Sequence, residues 1–303
     1  MGMTDFGTRL KQTRKARGIT QAQLAESLGV TQSTIANYEA NLRFPGEGAL
    51  RQLADQLQVS IDHLMALQPE PEAPSPLQQL SAAELKALQD RFYSDMLSGR
   101  EARSFDLVSR GGRVRQDLGG VFDEVVAPVL REVGLLWESG VLDVAQEHLI
   151  SDSVDRLLST LIQGIPEGEK PFAAVFLLPG AEEHHLSLRM AQACFKALGW
   201  RTVYLGRSLP VLSLQHFLEN APAQVLVTSV TLRDHLNSCE HLIRAIKAFP
   251  QAYRPRILVG GRVIKDADQA MRQLGADDYA ASYRDLVQRV GELEAVLSKA
   301  GKT

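Results

Sequence analysis

The side chains in this 303-residue chain that could do chemistry gather at three places. Glu182-Glu183-His184-His185 follows the apolar run AAVFLLPG after Ala181 and leads into helical sequence. A neutral imidazole is a good axial ligand for the metal of a tetrapyrrole or corrin. A carboxylate such as Glu182 can hold its other ring nitrogen and set its tautomer. Trp137 is followed, after nine residues, by Glu147-His148, which again sets a carboxylate beside an imidazole. The third set is uncharged: Gln21, Gln32, Ser33, Thr34 and Asn37, within TQAQLAESLGVTQSTIANYEA at residues 20–40. Short donors and acceptors of this kind suit base edges and phosphates. Each set also has a plainer reading. A histidine pair in a loop is a common surface or cap feature, a tryptophan ending a helix is commonly core, and a helical module need not touch DNA.

The elements that must position these groups follow from periodicity. From Pro171 onward, AAVFLLP, RTVYLG, QVLVTSV, RILVGG and DDYAA are short apolar runs. Amphipathic helical stretches over 184–198, 212–219, 235–248, 266–274 and 284–299 separate them. Strands alternating with helices predict a parallel sheet covered on both faces. Five such units suggest flavodoxin-like strand order, with ligands beyond the carboxyl ends of the strands. His184, at the edge of the first strand (172–178), then faces that crevice. Leu77 to about Ile165 reads as helices, with Gly111-Gly112 and Gly119-Gly120 as punctuation. Trp137 ends one of these helices and Gly140 breaks it.

At the N-terminus, Thr20 and Thr31 are candidate caps of two short helices joined by a turn at Gly29. Leu24, Ala25, Leu28, Ile35 and Tyr38 point inward, Val30 packs beneath the turn, and small Ala25 lets the helices cross closely. This is a helix-turn-helix pattern whose second helix would enter the major groove. Arg9, Lys11, Arg14, Lys15 and Arg17, against Asp5 alone, form a basic cluster that either tracks phosphates or is a solvated helix face. Residues 68–76 hold four prolines in nine positions and predict a semi-rigid spacer.

Three resemblances sharpen this. GITQAQLAESLGVTQSTIANYEANLRFP, with Tyr38-Glu39 and Pro45, resembles the Xre/Cro-type helix-turn-helix domain over residues 7–67. The second covers about residues 170–297. There Glu182-x-His184, Ser229-Val230-Thr231 following Ser187 after 41 intervening residues and Gly260-Gly261 after a further 28 resemble the cobalamin-binding domain of corrinoid methyltransferases, mutases and regulators. Leu198-Gly199-Trp200, Leu205-Gly206 and Leu274-Gly275-Ala276-Asp277 agree with it. By that resemblance His184 would be the lower axial cobalt ligand and Ser229 would hydrogen-bond the nucleotide tail. Gly260 and Gly261 would let backbone lie against that tail, and Thr231 completes the set. Ser187 stands where the family has glycine, and its side chain would crowd the corrin edge or tail. Finally, Trp137 with Glu147-His148 resembles the helical cap of light-sensing regulators of the CarH/LitR group. In that group Trp137 and Glu147 would meet the 5′-deoxyadenosyl group, and His148 could take cobalt's upper position after light breaks the cobalt–carbon bond. The group usually carries a MerR-type DNA-binding domain, so operator geometry does not carry over.

The expected architecture is multi-domain: an all-α helix-turn-helix domain (1–67), a linker (68–76), a four-helix-bundle cap (77–168) and an α/β flavodoxin-like, Rossmann-like domain with a five-stranded parallel sheet (169–303). The expected function is a transcription regulator, a repressor, that senses adenosylcobalamin and light, binds double-stranded operator DNA and works as a homo-oligomer, dimer or tetramer. Two other readings remain. One is a corrinoid protein serving methyl transfer; the other is a regulator whose sensor takes another tetrapyrrole or nothing. Composition fits: 45% hydrophobic and 23% charged residues with a net charge of −3 are ordinary for a globular protein. Cys194 and Cys239 form no metal or disulfide framework. There is no apolar run of membrane-spanning length and no signal-peptide core, so the cytoplasm is the expected compartment. No phosphate-binding loop or Ser-His-Asp arrangement stands out, and no enzyme activity is expected.

Overall fold

The computed structural model describes residues 4–57, 59, 64, 77, 80–109 and 117–300. The proline-rich spacer and Gly111-Gly112 lie outside these residues. The chain divides into two compact units, Met1–Pro74 and Ser75–Thr303.

The first unit is helical: α1 (Thr4–Ala16), α2 (Gln21–Ser27), α3 (Gln32–Glu39) and α4 (Glu47–Leu57). Thr20 caps α2 in a reciprocal box with Gln23, and Thr31 caps α3 by accepting from the Thr34 N–H. These caps satisfy donors that a helix start otherwise leaves unpaired. Phe6, Leu10, Leu24, Ala25, Ile35, Tyr38, Leu53 and Leu57 fill the core. Two expectations fail here. Val30 is exposed rather than packed beneath the turn. Arg14 leaves the basic cluster: it is buried, its Nε and Nη2 donate to Glu39 (2.6 and 3.1 Å), and its Nη1 donates to the Ile19 carbonyl (2.7 Å). It thus joins α1 to the far end of α3 instead of meeting phosphate.

The second unit begins with four bundle helices: α5 (Ala82–Leu97), α6 (Glu101–Ser109), a rod made of α7 (Leu118–Val121), a π-turn (Phe122–Val126) and α8 (Ala127–Glu138), then α9 (Val144–Gly164). Ser81 with Glu84 and Asp143 with Gln146 cap α5 and α9. The sheet follows: β1 (Ala173–Leu177), α10 (His185–Ala197), β2 (Arg201–Gly206), α11 (Val211–Asn220), β3 (Val225–Ser229), α12 (Leu236–Lys247), β4 (Arg256–Gly260), β5 (Asp278–Tyr279) and α13 (Tyr283–Ala300). All strands are parallel in the order β2-β1-β3-β4-β5, the flavodoxin-like order expected. Among the described residues no helix is long and apolar enough to cross a membrane.

The two faces of the sheet belong to different cores. Ala174, Phe176, Val225, Val227 and Leu258 join α10, α13 and the bundle in one continuous cluster. Ala173, Val175, Leu226, Ile257 and Val259 face α11 and α12. Alternate strand residues point to opposite faces, so burial on both sides demands the unbroken apolar runs seen in the sequence. Gly119-Gly120 do not punctuate. They lie buried inside α7, where a Cβ on Gly119 would come within 2.9 Å of the Tyr283 backbone. Bundle and sheet meet there: Asp123 accepts the Tyr283 and Arg284 N–H groups (2.9 Å each), and the Arg284 guanidinium pairs with Asp117 and Glu124.

Arg14→Ala strands the buried Glu39 carboxylate, and should cost about 3–5 kcal/mol, as removal of one partner of a buried pair does. Both tryptophans lie in the second unit, so the readout is hydrogen exchange of the Gln32–Glu39 amides, which should lose most of their protection. Burial pushes the Glu39 carboxyl upward, but hydrogen bonds from Arg14 and Gln21 prevail and lower its pKa. Its contribution is therefore present above the ordinary value of 4.5 and is lost as pH falls through the lowered one.

Candidate cofactor site

The site lies at the carboxyl ends of β1 and β3, neighbouring strands between which the chain reverses its direction across the sheet. The loop after β1 carries Glu182, whose side chain is 0% exposed. Its Oε1 accepts from His184 Nδ1 (2.5 Å) and from the backbone N–H of Glu183 and His184 (3.1 Å each). Its Oε2 accepts from the Thr231 N–H (2.8 Å) and, at longer range, the Leu232 N–H (3.4 Å), both in the loop after β3. Burial works to raise the Glu182 pKa. Hydrogen bonds from the His184 ring, the Thr231 N–H and the His184 N–H reverse this and hold the carboxyl well below the usual range. The bond to Glu182 raises the His184 pKa; burial opposes it, and the charges of Glu182, Glu147 and Glu183 add to the rise.

His184 immediately precedes α10. Its side chain is 48% exposed, and Nε2 makes no hydrogen bond among the described residues. A ring anchored through Nδ1 with an open Nε2 is the donor arrangement an axial metal ligand needs. Ser187 Oγ donates to the His184 carbonyl and lies 3.0 Å from Ser229 Oγ, the last residue of β3. The two hydroxyls thus bridge the crevice at the position where a side chain replaces the family glycine. Tyr283, packed edge-on against Phe122 of the bundle, donates through its hydroxyl to the Ser187 carbonyl (3.2 Å).

Gly260 ends β4 opposite Ser229, and its carbonyl accepts the Val230 N–H (3.0 Å). Gly261 has φ +116°, and a Cβ there would collide with the Val230 backbone. The fold itself therefore demands glycine at 261, before any ligand is considered.

Glu182, His184, Ser187, Ser229 and Thr231 form one hydrogen-bonded cluster, with Gly260 and Gly261 beside it. On the bundle, Glu147 and His148 occupy the first turns of α9; Glu147 accepts from Ser151 Oγ (2.6 Å) and lies 2.6 Å from His148 Nδ1. His148 is 75% exposed and Trp137 48% exposed, and among the described residues neither is bonded to the cluster. Leu135, Val141, Val144 and Leu149, like Trp137, are exposed apolar side chains near the end of α8 and the start of α9. In the first unit, Gln32, Ser33, Thr34 and Asn37 lie on α3, but the Gln21 amide donates to Glu39 (2.8 Å) and so is partly engaged. His235 escaped the sequence reading. It stands four residues past Thr231, and only the fold brings it to the carboxylate.

An open imidazole backed by a buried carboxylate thus stands at the switch point of a flavodoxin-like sheet with a helical bundle packed on it. Residues 88–162 match the family model described as B12 binding domain, and residues 10–64 match Helix-turn-helix. The chain is 34% identical over 154 residues to the HTH-type transcriptional repressor CarH of Myxococcus xanthus, covering 50% of each protein. It is 22% identical over 183 residues to dimethylamine corrinoid protein 1 of Methanosarcina acetivorans, covering 59% of this chain and 84% of that one. In fold it resembles the Methanosarcina barkeri monomethylamine corrinoid protein, with a TM-score of 0.55 at 14% identity over 70% of this chain and all of the other. The chain thus spans half the length of the CarH repressor it matches. It combines a match to a helix-turn-helix model with a match to a B12-binding model, and half of it is similar to half of the CarH repressor.

Glu182→Ala removes the acceptor of several buried donors, each of which costs about 1–3 kcal/mol when left unpaired. Trp200 is fully buried beside the sheet and reports its unfolding. Urea titration followed by tryptophan fluorescence should show a clear loss of stability for Glu182→Ala, and a smaller loss for Glu182→Gln, which keeps an acceptor oxygen.

Proposed function

We propose that the protein is a cytoplasmic DNA-binding repressor that senses adenosylcobalamin and, through it, light. One observation carries this reading: the His184 imidazole, fixed by Glu182 at the strand edge with Nε2 open, in a chain that also bears a helix-turn-helix. The residues present suit the group. His184 would hold cobalt from below, with Ser187, Ser229, Thr231, Gly260 and Gly261 along the tail crevice. Trp137 and Glu147 would meet the adenosyl group from the bundle, and His148 would offer a nitrogen to the upper face once that group has left. When bound, the cofactor supplies a cobalt–carbon bond that light can break.

The apolar side chains near the end of α8 and the start of α9 are exposed, so what covers them differs between liganded and photolysed states; a ligand shifts an assembly only by such a difference. One helix-turn-helix module buries little DNA surface, and useful affinity follows from joining several in a homo-oligomer. Gln32, Ser33, Thr34 and Asn37 of α3 would read the major groove, with Gln21 nearby. The likeness in fold to a monomethylamine corrinoid protein favours a second reading, carriage of a corrinoid for methyl transfer. The helix-turn-helix argues against it.

The wild-type protein should change the absorption spectrum of adenosylcobalamin in the dark and His184→Ala should not. Operator gel shifts and size-exclusion profiles should differ between dark and illuminated samples; identical profiles would reject light control. Ser187→Gly removes a hydroxyl from the crevice and frees Ser229. Adenosylcobalamin titration should then give tighter binding than wild type, and equal or weaker binding would show that Ser187 does not crowd the ligand.

A further inference from the structure

The two oxygens of the buried Glu182 carboxylate face different loops. Oε1 serves His184 and the backbone on the β1 side, while Oε2 faces the loop after β3. On that second side stands His235, the last residue of a 3₁₀ turn (Arg233–His235) that leads into α12. Its Nδ1 lies 3.2 Å from Glu182 Oε2. The approach lacks hydrogen-bond alignment, and Nδ1 is a buried nitrogen with no hydrogen-bond partner among the described residues. Buried polar atoms are nearly always paired, so an orphan 3.2 Å from a buried carboxylate calls for a role.

We propose that His235 is a positioning residue for the lower axial imidazole: by donating from Nδ1–H to Oε2 it locks the Glu182 carboxylate, and through it the orientation and tautomer of His184. This rests on His184 being the cobalt ligand. The geometry explains why a second imidazole is useful. A carboxylate offers about four lone-pair directions. On Oε1 three donors already crowd one oxygen, whereas on Oε2 the Thr231 N–H is the one short donor. A carboxylate loaded on one side can rock about its Cγ–Cδ bond, and every degree of rocking is passed to the His184 ring through their 2.5 Å contact. A modest turn of the His235 ring aligns Nδ1–H with Oε2 and removes that freedom. His235 is itself tethered, because its turn opens α12, whose Cys239, Leu242, Ile243 and Ile246 are packed in the core. Outer partners of a metal ligand act in this way, by fixing a ring they do not touch.

The test compares His235→Phe, which keeps a planar ring without a donor, with His235→Asn, which keeps a donor that can reach a carboxylate. Two readouts are taken on the full chain. In the cofactor-free protein, nitrogen-15 NMR of the His184 ring should show one tautomer in wild type and His235→Asn, and a mixture in His235→Phe. In protein loaded with cob(II)alamin, electron paramagnetic resonance with nitrogen-15 histidine reads the ratio of His184-coordinated to uncoordinated cobalt. That ratio should fall about 10-fold or more in His235→Phe and recover in His235→Asn. An unchanged tautomer and an unchanged ratio in His235→Phe overturn the role of His235 and leave His184 as the ligand. Failure of wild type to bind cob(II)alamin overturns the corrinoid reading instead, and the tautomer measurement then decides the positioning role by itself. Equal defects in His235→Phe and His235→Asn also overturn it, since a donor would then not be what matters.

Discussion

A single buried charge organises this structure. A carboxylate stripped of water is stable only when hydrogen-bonded on all sides, and Glu182 meets that demand with donors drawn from two loops. Those loops follow β1 and β3, which are far apart in sequence and adjacent in the sheet. The charge therefore does two things at once. It closes the crevice at the switch point of the sheet, and it presents an imidazole outward with one nitrogen spent and the other open. An uncharged residue at 182 could pack there, but it would neither draw the β3 loop in nor set the tautomer of His184.

The bundle and the sheet form one mechanical body. Their shared core runs without a break from Phe92 and Phe122 to Phe176 and Phe195. Two polar joints fix the register of the packing. At one, Asp123 caps α13 and Arg284 grips Asp117 and Glu124. At the other, Asp155 on α9 faces His185 and Arg189 on α10, and Arg189 also donates to Ser159 (2.7 Å) and stacks over Tyr204. The consequence is positional. Glu147 and His148 lie in the first turns of α9, and α10 begins one residue after His184. The candidate groups above and below the crevice are thus borne at the starts of two helices clamped side by side.

Much of this was legible in the sequence, for identifiable reasons. Parallel strands buried on both faces must be unbroken apolar runs, so the five strands and their order followed from pattern alone. Helix starts need caps, so Thr20 and Thr31 announced themselves chemically. Glu182 and His184 are near neighbours in the chain, and their pairing is local. What escaped depends on contacts distant in sequence. Arg14 looks like any exposed cation until Glu39, 25 positions on, is folded against it. Gly119-Gly120 look like a break until α13 arrives to use the space a Cβ would fill. Gly261 invited a ligand-based reason, yet the Val230 backbone supplies a sufficient one. Val30 is apolar, but nothing closes over the turn it occupies.

The exposed apolar side chains of the bundle show why a sensor of this build would need its ligand to be structural. A globular unit this size has ample apolar side chain to bury, and the rest of the bundle buries it. Trp137, Leu135, Val141, Val144 and Leu149 are left out, near Glu147 and His148 in the chain. Among the described residues α8 and α9 direct their inner faces, Val129, Val133, Val154 and Leu157, into the core. In the proposed sensor, a ligand seated above the crevice or another copy of the chain would cover the exposed set. In that sensor, a signal that removes part of the ligand would change what meets these side chains while leaving Glu182 and His184 in place. That separation, a fixed lower half and a variable upper half, would let one site both retain a cofactor and report its state.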